Sequence, residues 1–107
     1  MKEAGVKEAG VKGYLFAEVE VTDPETYKQY MPLAGAAIAA YGGRFVIRGG
    51  DPEVVEGGRR AKRCVFVEFE SVERLKEFYH SAQYQAAAAI RQRASTGHVY
   101  LLSGTPE

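Results

Sequence analysis

The sequence predicts one α+β domain in which four strands and two helical regions follow in the order β-α-β-β-α-β. Four short segments alternate apolar and polar residues, as strands do, and two longer segments repeat apolar residues at helical spacing. Glycine, proline or a capping residue stands at the boundaries between these segments. The chain has 107 residues, which is enough for one sizeable core but not for two.

The first strand and the first helix are the most clearly patterned. Residues 14–21, YLFAEVEV, alternate so that aliphatic side chains share one face, which predicts a strand. Asp23 is placed to cap the following helix, and Pro24 stands at its first position, where the missing N–H costs nothing. Apolar residues then recur at three- and four-residue spacing through residues 27–41, and Gly42 is expected to end the helix.

The second and third strands are predicted at residues 44–48, RFVIR, and 63–70, RCVFVEFE. Alternation in the second strand places Phe45 and Ile47 on the aliphatic face of the sheet and Arg48 on the opposite face. A long glycine-rich connection separates the two strands.

The second helical region is predicted to contain a break. Ser71 is expected to cap its first segment, and Ser81 can cap a second one, so we expect a kink across residues 80–82. Gly97 is expected to end the second segment, and the fourth strand follows at residues 98–103, HVYLLS.

This order of elements is that of a ferredoxin-like fold. Right-handed crossovers give the spatial strand order four, one, three, two, with antiparallel neighbours and both helical regions on one face of the sheet. The other face has no cover of its own, and we expect a second copy of the chain to pack on it as a homodimer. That open face is predicted to carry Phe16, Val46, Phe66, Tyr100 and Leu102.

The charge balance, the cysteine content and the apolar runs of the sequence bear on which partners and which location to expect. Lysine and arginine total 14, as do aspartate and glutamate, so overall charge favours neither a nucleic-acid nor an anionic-membrane partner. Cys64 is the only cysteine, and no apolar run has the length of a signal peptide or a membrane span, so we expect a cytoplasmic protein. Residues 14–103 are predicted to form the domain, with tails at 1–13 and 104–107.

Two long segments resemble the domain of unknown function 1330 family, within the dimeric α+β barrel superfamily: VTDPETYKQYMPLAGAAIAAYGGRFVIRGGDPEVVEG and FYHSAQYQAAAAIRQRA. The most specific matches are Tyr41-Gly42-Gly43, Arg48-Gly49-Gly50 and the run Phe78, Tyr79, Ser81, Tyr84. Ala82 stands where that family usually has proline. The resemblance implies a dimer of two sheets packed face to face but no settled activity, because the superfamily includes cofactor-free monooxygenases, isomerases, haem enzymes and ligand-sensing domains.

The open face is the first candidate site, because its charged residues have no obvious structural role. If the strands are centred on one another, His98 lies opposite Glu20 and Arg48 completes a row through Cys64, while a slip of two residues substitutes Glu18 for Glu20. A histidine beside a carboxylate can act as a general base, and an arginine can hold an anion. The alternative is a row of cross-strand ion pairs that sets the register of a dimer.

Tyrosines form the second candidate site. Tyr79, Tyr84 and Tyr100 are the predicted ligand contacts, but phenols at buried helical positions also serve simply as core residues. Arg91 and Arg93 stand in the last helical turn, where their charge is favourable without any substrate.

The sequence therefore predicts a homodimer that binds a small organic ligand. No metal site and no cofactor are evident in it. The alternative is a cofactor-independent enzyme, a monooxygenase or an isomerase, with His98 and Glu18 or Glu20 as base and Arg48 as anion holder.

Overall fold

The computed structural model describes residues 11–58 and 63–106, so most of the predicted N-terminal tail, part of the glycine-rich connection and Glu107 lie outside the described residues. The elements follow the predicted order, and the second helical region is divided in two. They are β1 (Gly13–Val21), α1 (Pro24–Ala40), β2 (Arg44–Gly50), β3 (Arg63–Phe69), α2 (Val72–His80), α3 (Ala82–Ala94) and β4 (Ser95–Ser103).

The four strands form one antiparallel sheet in the order β2-β3-β1-β4, as predicted. The core lies between one face of this sheet and the helices, because the strands direct their aliphatic side chains to that face and the helices bury their apolar stripes on it. The largest fully buried side chains are Val67, Phe69, Leu75, Phe78 and Tyr84.

Side-chain caps define where the helices begin. The Asp23 carboxylate accepts a hydrogen bond from the Thr26 N–H at 3.3 Å, and Pro24 follows at the first helical position. Ser81 separates α2 from α3, since its hydroxyl donates to the Phe78 carbonyl at 2.7 Å and accepts from the Tyr84 N–H at 3.1 Å. The predicted break is therefore confirmed. Within the described ranges, no helix combines the length and the apolar run that crossing a bilayer needs.

The end of α3 differs from the prediction. The helix ends at Ala94, whose carbonyl accepts hydrogen bonds from the N–H groups of Thr22 and Asp23 at 2.8 and 3.0 Å. Gly97 is instead part of β4, with φ of 148°, and a Cβ at this position would collide with the Glu18 carbonyl. The glycine therefore permits close approach of two strands rather than ending a helix.

The faces of β2 also differ from the prediction. Phe45 pairs with Val67, but Ile47 pairs with Phe66 and Arg48 with Val65, so the register shifts after Phe45. One extra residue in a strand reverses the face to which every following side chain points. Ile47 therefore lies on the open face and Arg48 on the helix-covered face. The expectation that Arg48 lies on the open face was wrong.

The open face carries a continuous aromatic and aliphatic row across all four strands. Ile47, Phe66, Phe16 and Tyr100 are successive partners in the register. The Phe16 ring centroid lies 4.6 Å from that of Phe66 and 5.9 Å from that of Tyr100. In the single chain Ile47 and Tyr100 each keep 43% of their surface exposed.

Candidate functional site

A cavity of about 50 Å³ lies between the helix-covered face of the sheet and the helices. Aliphatic side chains of β1 and β3 form one wall, and residues of α1 and α3 form the other. Three arginines and three tyrosines also line it, so an apolar space has several polar groups directed towards it. Ligand sites in proteins commonly have this composition.

Each cavity arginine comes from a different element. Arg48 reaches the cavity through the shifted register of β2, Arg63 is the first residue of β3, and Arg91 lies in the last turn of α3. Their guanidinium carbons lie 4.4 Å from the ring centroid of Phe45, 5.8 Å from that of Tyr27 and 5.9 Å from that of Tyr30, respectively. These contacts hold the guanidinium groups against aromatic rings.

None of the described residues that line the cavity is acidic. The ion pairs between described residues join Glu25, Glu68 and Glu77 to Lys28, Arg44 and Arg74, and His98 lies within 3.8 Å of Glu18. None involves a cavity arginine. The Nε atoms of Arg63 and Arg91 are buried without a hydrogen-bond partner among the described residues. Arg91 as a whole is only 9% exposed. The described lining of the cavity therefore carries excess positive charge.

Tyrosine hydroxyls adjoin this charge. The Tyr30 and Tyr84 hydroxyl oxygens lie 2.9 Å apart and share a hydrogen bond. Burial, and then the neighbouring Tyr84, raise the pKa of Tyr30, so it remains a neutral phenol at physiological pH. Burial lowers the pKa of Arg91, but Tyr84 and Tyr30 raise it by more, so the net direction is upward and Arg91 stays charged. This end of the cavity offers hydrogen-bond donors to an oxygen ligand.

The predicted histidine–carboxylate pair lies on the open face, away from the cavity. His98 is directly opposite Glu18, and its Nδ1 lies 3.8 Å from Oε1 of that glutamate. Glu20 lies opposite Thr96 instead, so the alternative register with Glu18 is the one that forms. Both paired side chains are partly exposed. Cys64 adjoins Glu18, but Gly50, not Arg48, continues the row.

The predicted ligand residues separate into two groups. Arg48 and Tyr84 line the cavity, whereas Tyr79 packs against Tyr84 with a centroid distance of 5.6 Å and Tyr100 stacks on the open face. The predicted row of His98, a glutamate and Arg48 does not form, because Arg48 is on the other side of the sheet.

Arg63 and Arg91 were not predicted as site residues. Both have a signal in the sequence, since Arg63 is in phase with the aliphatic face of β3 and Arg91 is in phase with the buried stripe of α3. A charged residue within such a pattern can simply reach solvent at the end of an element, and in the sequence alone the helix C-terminus is a sufficient explanation for Arg91.

No group of three or more histidine, cysteine, aspartate or glutamate residues is arranged to hold a metal ion within residues 11–58 and 63–106. The polar residues that line the cavity, among those described, are arginines and tyrosines, which are poor ligands for a divalent cation because the guanidinium groups repel it.

Solved structures share this fold at low sequence identity. A protein of unknown function from Rhodopseudomonas palustris, RPA0582, aligns with a TM-score of 0.73 at 18% identity over 96% of this chain and 88% of that one. A dimeric ferredoxin-like protein of unknown function from Thermobifida fusca aligns with a TM-score of 0.57 at 15% identity over 88% and 90%. SnoaB, a cofactor-independent oxygenase from Streptomyces nogalater, aligns with a TM-score of 0.55 at 13% identity over 91% and 94%.

Identities this low establish the fold and not the chemistry. Among curated proteins the sequence has no significant match. The family model described as a domain of unknown function, DUF1330, matches residues 12–105, which is nearly the whole chain and includes every strand and helix of the fold. The chain therefore belongs to the DUF1330 family.

Proposed function

We propose that the protein binds a small organic molecule in the cavity between the sheet and the helices. The observation that carries this proposal is the composition of the cavity, in which aliphatic walls meet arginine and tyrosine donors. A packed core gains nothing from unpartnered buried donors, because each one loses its hydrogen bonds to water without replacement. A ligand that fills the space and accepts hydrogen bonds from these donors accounts for both the aliphatic walls and the unpartnered donors.

The proposal includes a homodimer formed through the open face. Support comes from the apolar row of Ile47, Phe66, Phe16 and Tyr100, which would leave an unusually apolar patch in water. The similar protein from Thermobifida fusca is described as dimeric. In such a dimer the His98–Glu18 pair would lie near the partner's sheet, where an ion pair helps to set register. The proposal also keeps a cytoplasmic location, since a single cysteine allows no intrachain disulfide.

A cofactor-independent enzyme is the second candidate, and the likeness to SnoaB is the observation that favours it. Such an enzyme needs a base in contact with the bound substrate. His98 and Glu18 are on the face of the sheet opposite the cavity, so they cannot meet a ligand held by Arg48. Ligand binding without chemistry is therefore the function that the geometry supports best.

Native mass spectrometry of variants with a filled cavity tests the binding proposal. Ala34 lines the cavity and is 4% exposed, so Ala34→Phe should occupy the ligand space. Ala36 lies on the exposed side of the same helix, and Ala36→Phe is the matched control. A small-molecule adduct should be present on the purified protein and on the control and absent from Ala34→Phe.

Circular dichroism would first establish that both variants fold. An adduct that persists on a folded Ala34→Phe protein, or a wild-type protein that carries no adduct at all, would contradict binding in this cavity.

A further inference from the structure

We propose that the ligand is a small organic carboxylate, with its carboxylate group bound by Arg63 and Arg91 and its hydrocarbon part against the aliphatic wall of β1 and β3. This inference rests on the proposed function, because it names the chemical class of ligand for the same cavity.

The cavity holds buried positive charge. A guanidinium that is removed from water is costly unless an anion or hydrogen-bond acceptors replace the water. Arg91 is 9% exposed, and Nε of both Arg91 and Arg63 lacks a partner among the described residues. No described acidic side chain lines the cavity. The described side chains of the cavity provide no negative charge, so an anionic ligand would supply it.

The hydrogen-bond donors at the cavity are guanidinium groups and tyrosine hydroxyls. A guanidinium presents parallel N–H groups that match the two oxygens of a carboxylate. The two hydroxyls of Tyr30 and Tyr84 share one hydrogen bond, which uses one of their two hydrogen atoms and leaves the other for a further acceptor. A carboxylate has several lone pairs and can accept from a guanidinium and a phenol together.

The rest of the cavity is small and apolar. The wall opposite the helices consists of Leu15, Ala17 and Val19, which are 4–6% exposed, and they offer no donor to a second charged group. With about 50 Å³ available, the cavity suits a short aliphatic body rather than a sugar or a nucleotide. Arg48 lies at the exposed margin, where its charge raises the local concentration of anions.

Isothermal titration calorimetry with matched acids and amides tests the ligand class. The probes are acetate, propionate and butyrate, each compared with its primary amide, which has nearly the same shape and no charge. At least one acid should bind, and its amide should bind at least about tenfold more weakly, because the amide loses the charge-assisted hydrogen bonds.

Arginine variants then locate the contact. Arg91→Met and Arg63→Met should each weaken binding of that acid about tenfold or more. Arg93→Met is the matched control, since Arg93 is exposed, lies on the same helix as Arg91 and does not line the cavity, and its affinity should equal that of the wild type. If Arg91→Met does not fold, Arg63→Met and the acid–amide comparison still decide the question.

Two outcomes would overturn the inference. Amides that bind as tightly as acids would show that the cavity takes a ligand without using its charge, so the proposed function would stand and the ligand class would fall. Binding of none of the probes at millimolar concentration would also overturn the ligand class. The Ala34→Phe comparison by native mass spectrometry uses none of these probes and decides separately whether the cavity binds a ligand.

Discussion

Arginine side chains occupy two different environments in this domain. Nε of Arg44 lies 2.9 Å from a carboxylate oxygen of Glu68, and Arg74 donates to Glu77 at 2.8 Å and to the Tyr41 carbonyl at 3.2 Å. The cavity arginines have no such carboxylate among the described residues. Exposed pairs of the first kind contribute little to stability, whereas unpaired and buried guanidinium groups reduce it unless something binds them.

Glu68 provides a prediction for stability against pH. Burial alone would raise its pKa, but hydrogen bonds from Tyr14 and Arg44 outweigh burial and lower the pKa below its ordinary value of 4.5. A carboxyl group whose pKa is depressed on folding stabilises the fold above its unfolded pKa and loses that contribution as the pH falls through the folded pKa. Glu68→Gln should therefore lower the free energy of unfolding at neutral pH, and the difference should shrink as the pH falls below 4.5.

Urea denaturation across a pH series would measure this effect. Glu20→Gln is the control, because Glu20 is exposed and lies on the open face like Glu68, and its effect should be small throughout. A deficit in Glu68→Gln that stays constant into strong acid would mean that the charge of Glu68 contributes nothing.

At the scale of elements, the break between α2 and α3 is set by the backbone of one residue. Ser81 has φ of −68° and ψ of 149°, which is an extended conformation, and Ala82 is the exposed first residue of α3. A proline at a first helical position needs no N–H donor, and it favours an extended conformation in the residue before it. Both requirements are already met here.

Ala82→Pro should therefore stabilise the protein by about 0.4–1 kcal/mol, mainly by restricting the unfolded chain. Thermal unfolding followed by circular dichroism would measure the gain. Ala89→Pro is the control, because Ala89 is also exposed but lies inside α3, where proline should cost about 3 kcal/mol. A loss of stability in Ala82→Pro would mean that α3 does not begin where the Ser81 cap places it.

The register shifts of β2 matter at the same scale, because they decide what reaches the cavity. Arg48 and Ile47 exchange faces relative to simple alternation. Gly49 then takes φ of 73°, and the guanidinium of Arg63 packs 2.7 Å from where its Cβ would be. A glycine with positive φ at an irregularity of this kind is a common way to bend an edge strand. The irregular strand thus places Arg48 near Arg63.

At the scale of the whole molecule, the two faces of the sheet have different proposed roles. One face and the helices enclose the cavity, and the other carries the apolar row. Phe66→Asp places a carboxylate in the middle of that row, which would cost several kcal/mol in a closed interface. Light scattering at micromolar concentration should give twice the chain mass for the wild type and the mass of one chain for this variant.

Leu33→Asp is the control for that experiment, since Leu33 is 46% exposed on α1 and is not part of the sheet. It should leave the dimer intact. A wild-type monomer, or a Phe66→Asp protein that still dimerises, would mean that the open face is not the interface.

The sequence by itself determined the order of the elements, the order of the strands in the sheet and the break at Ser81. These features depend on residues that are close in sequence, because strand alternation, helical spacing and helix caps each involve only a few consecutive residues. The strand order then follows from the handedness of the crossovers. The apolar character of the open face follows from the same alternation, since Phe16 and Phe66 are out of phase with the aliphatic residues of their strands.

Only the tertiary structure decided which charged residues meet. Whether Glu18 or Glu20 faces His98 depends on pairing between strands far apart in the chain, and either register keeps the same face. Arg48 reached the cavity because its strand shifts register against β3, and no local pattern marks the shift after Phe45. Arg63 and Arg91 are candidate site residues because tyrosines of α1 lie against them and no carboxylate among the described residues does. Burial without a partner is a property of the assembled neighbours, so the residue type alone does not reveal it.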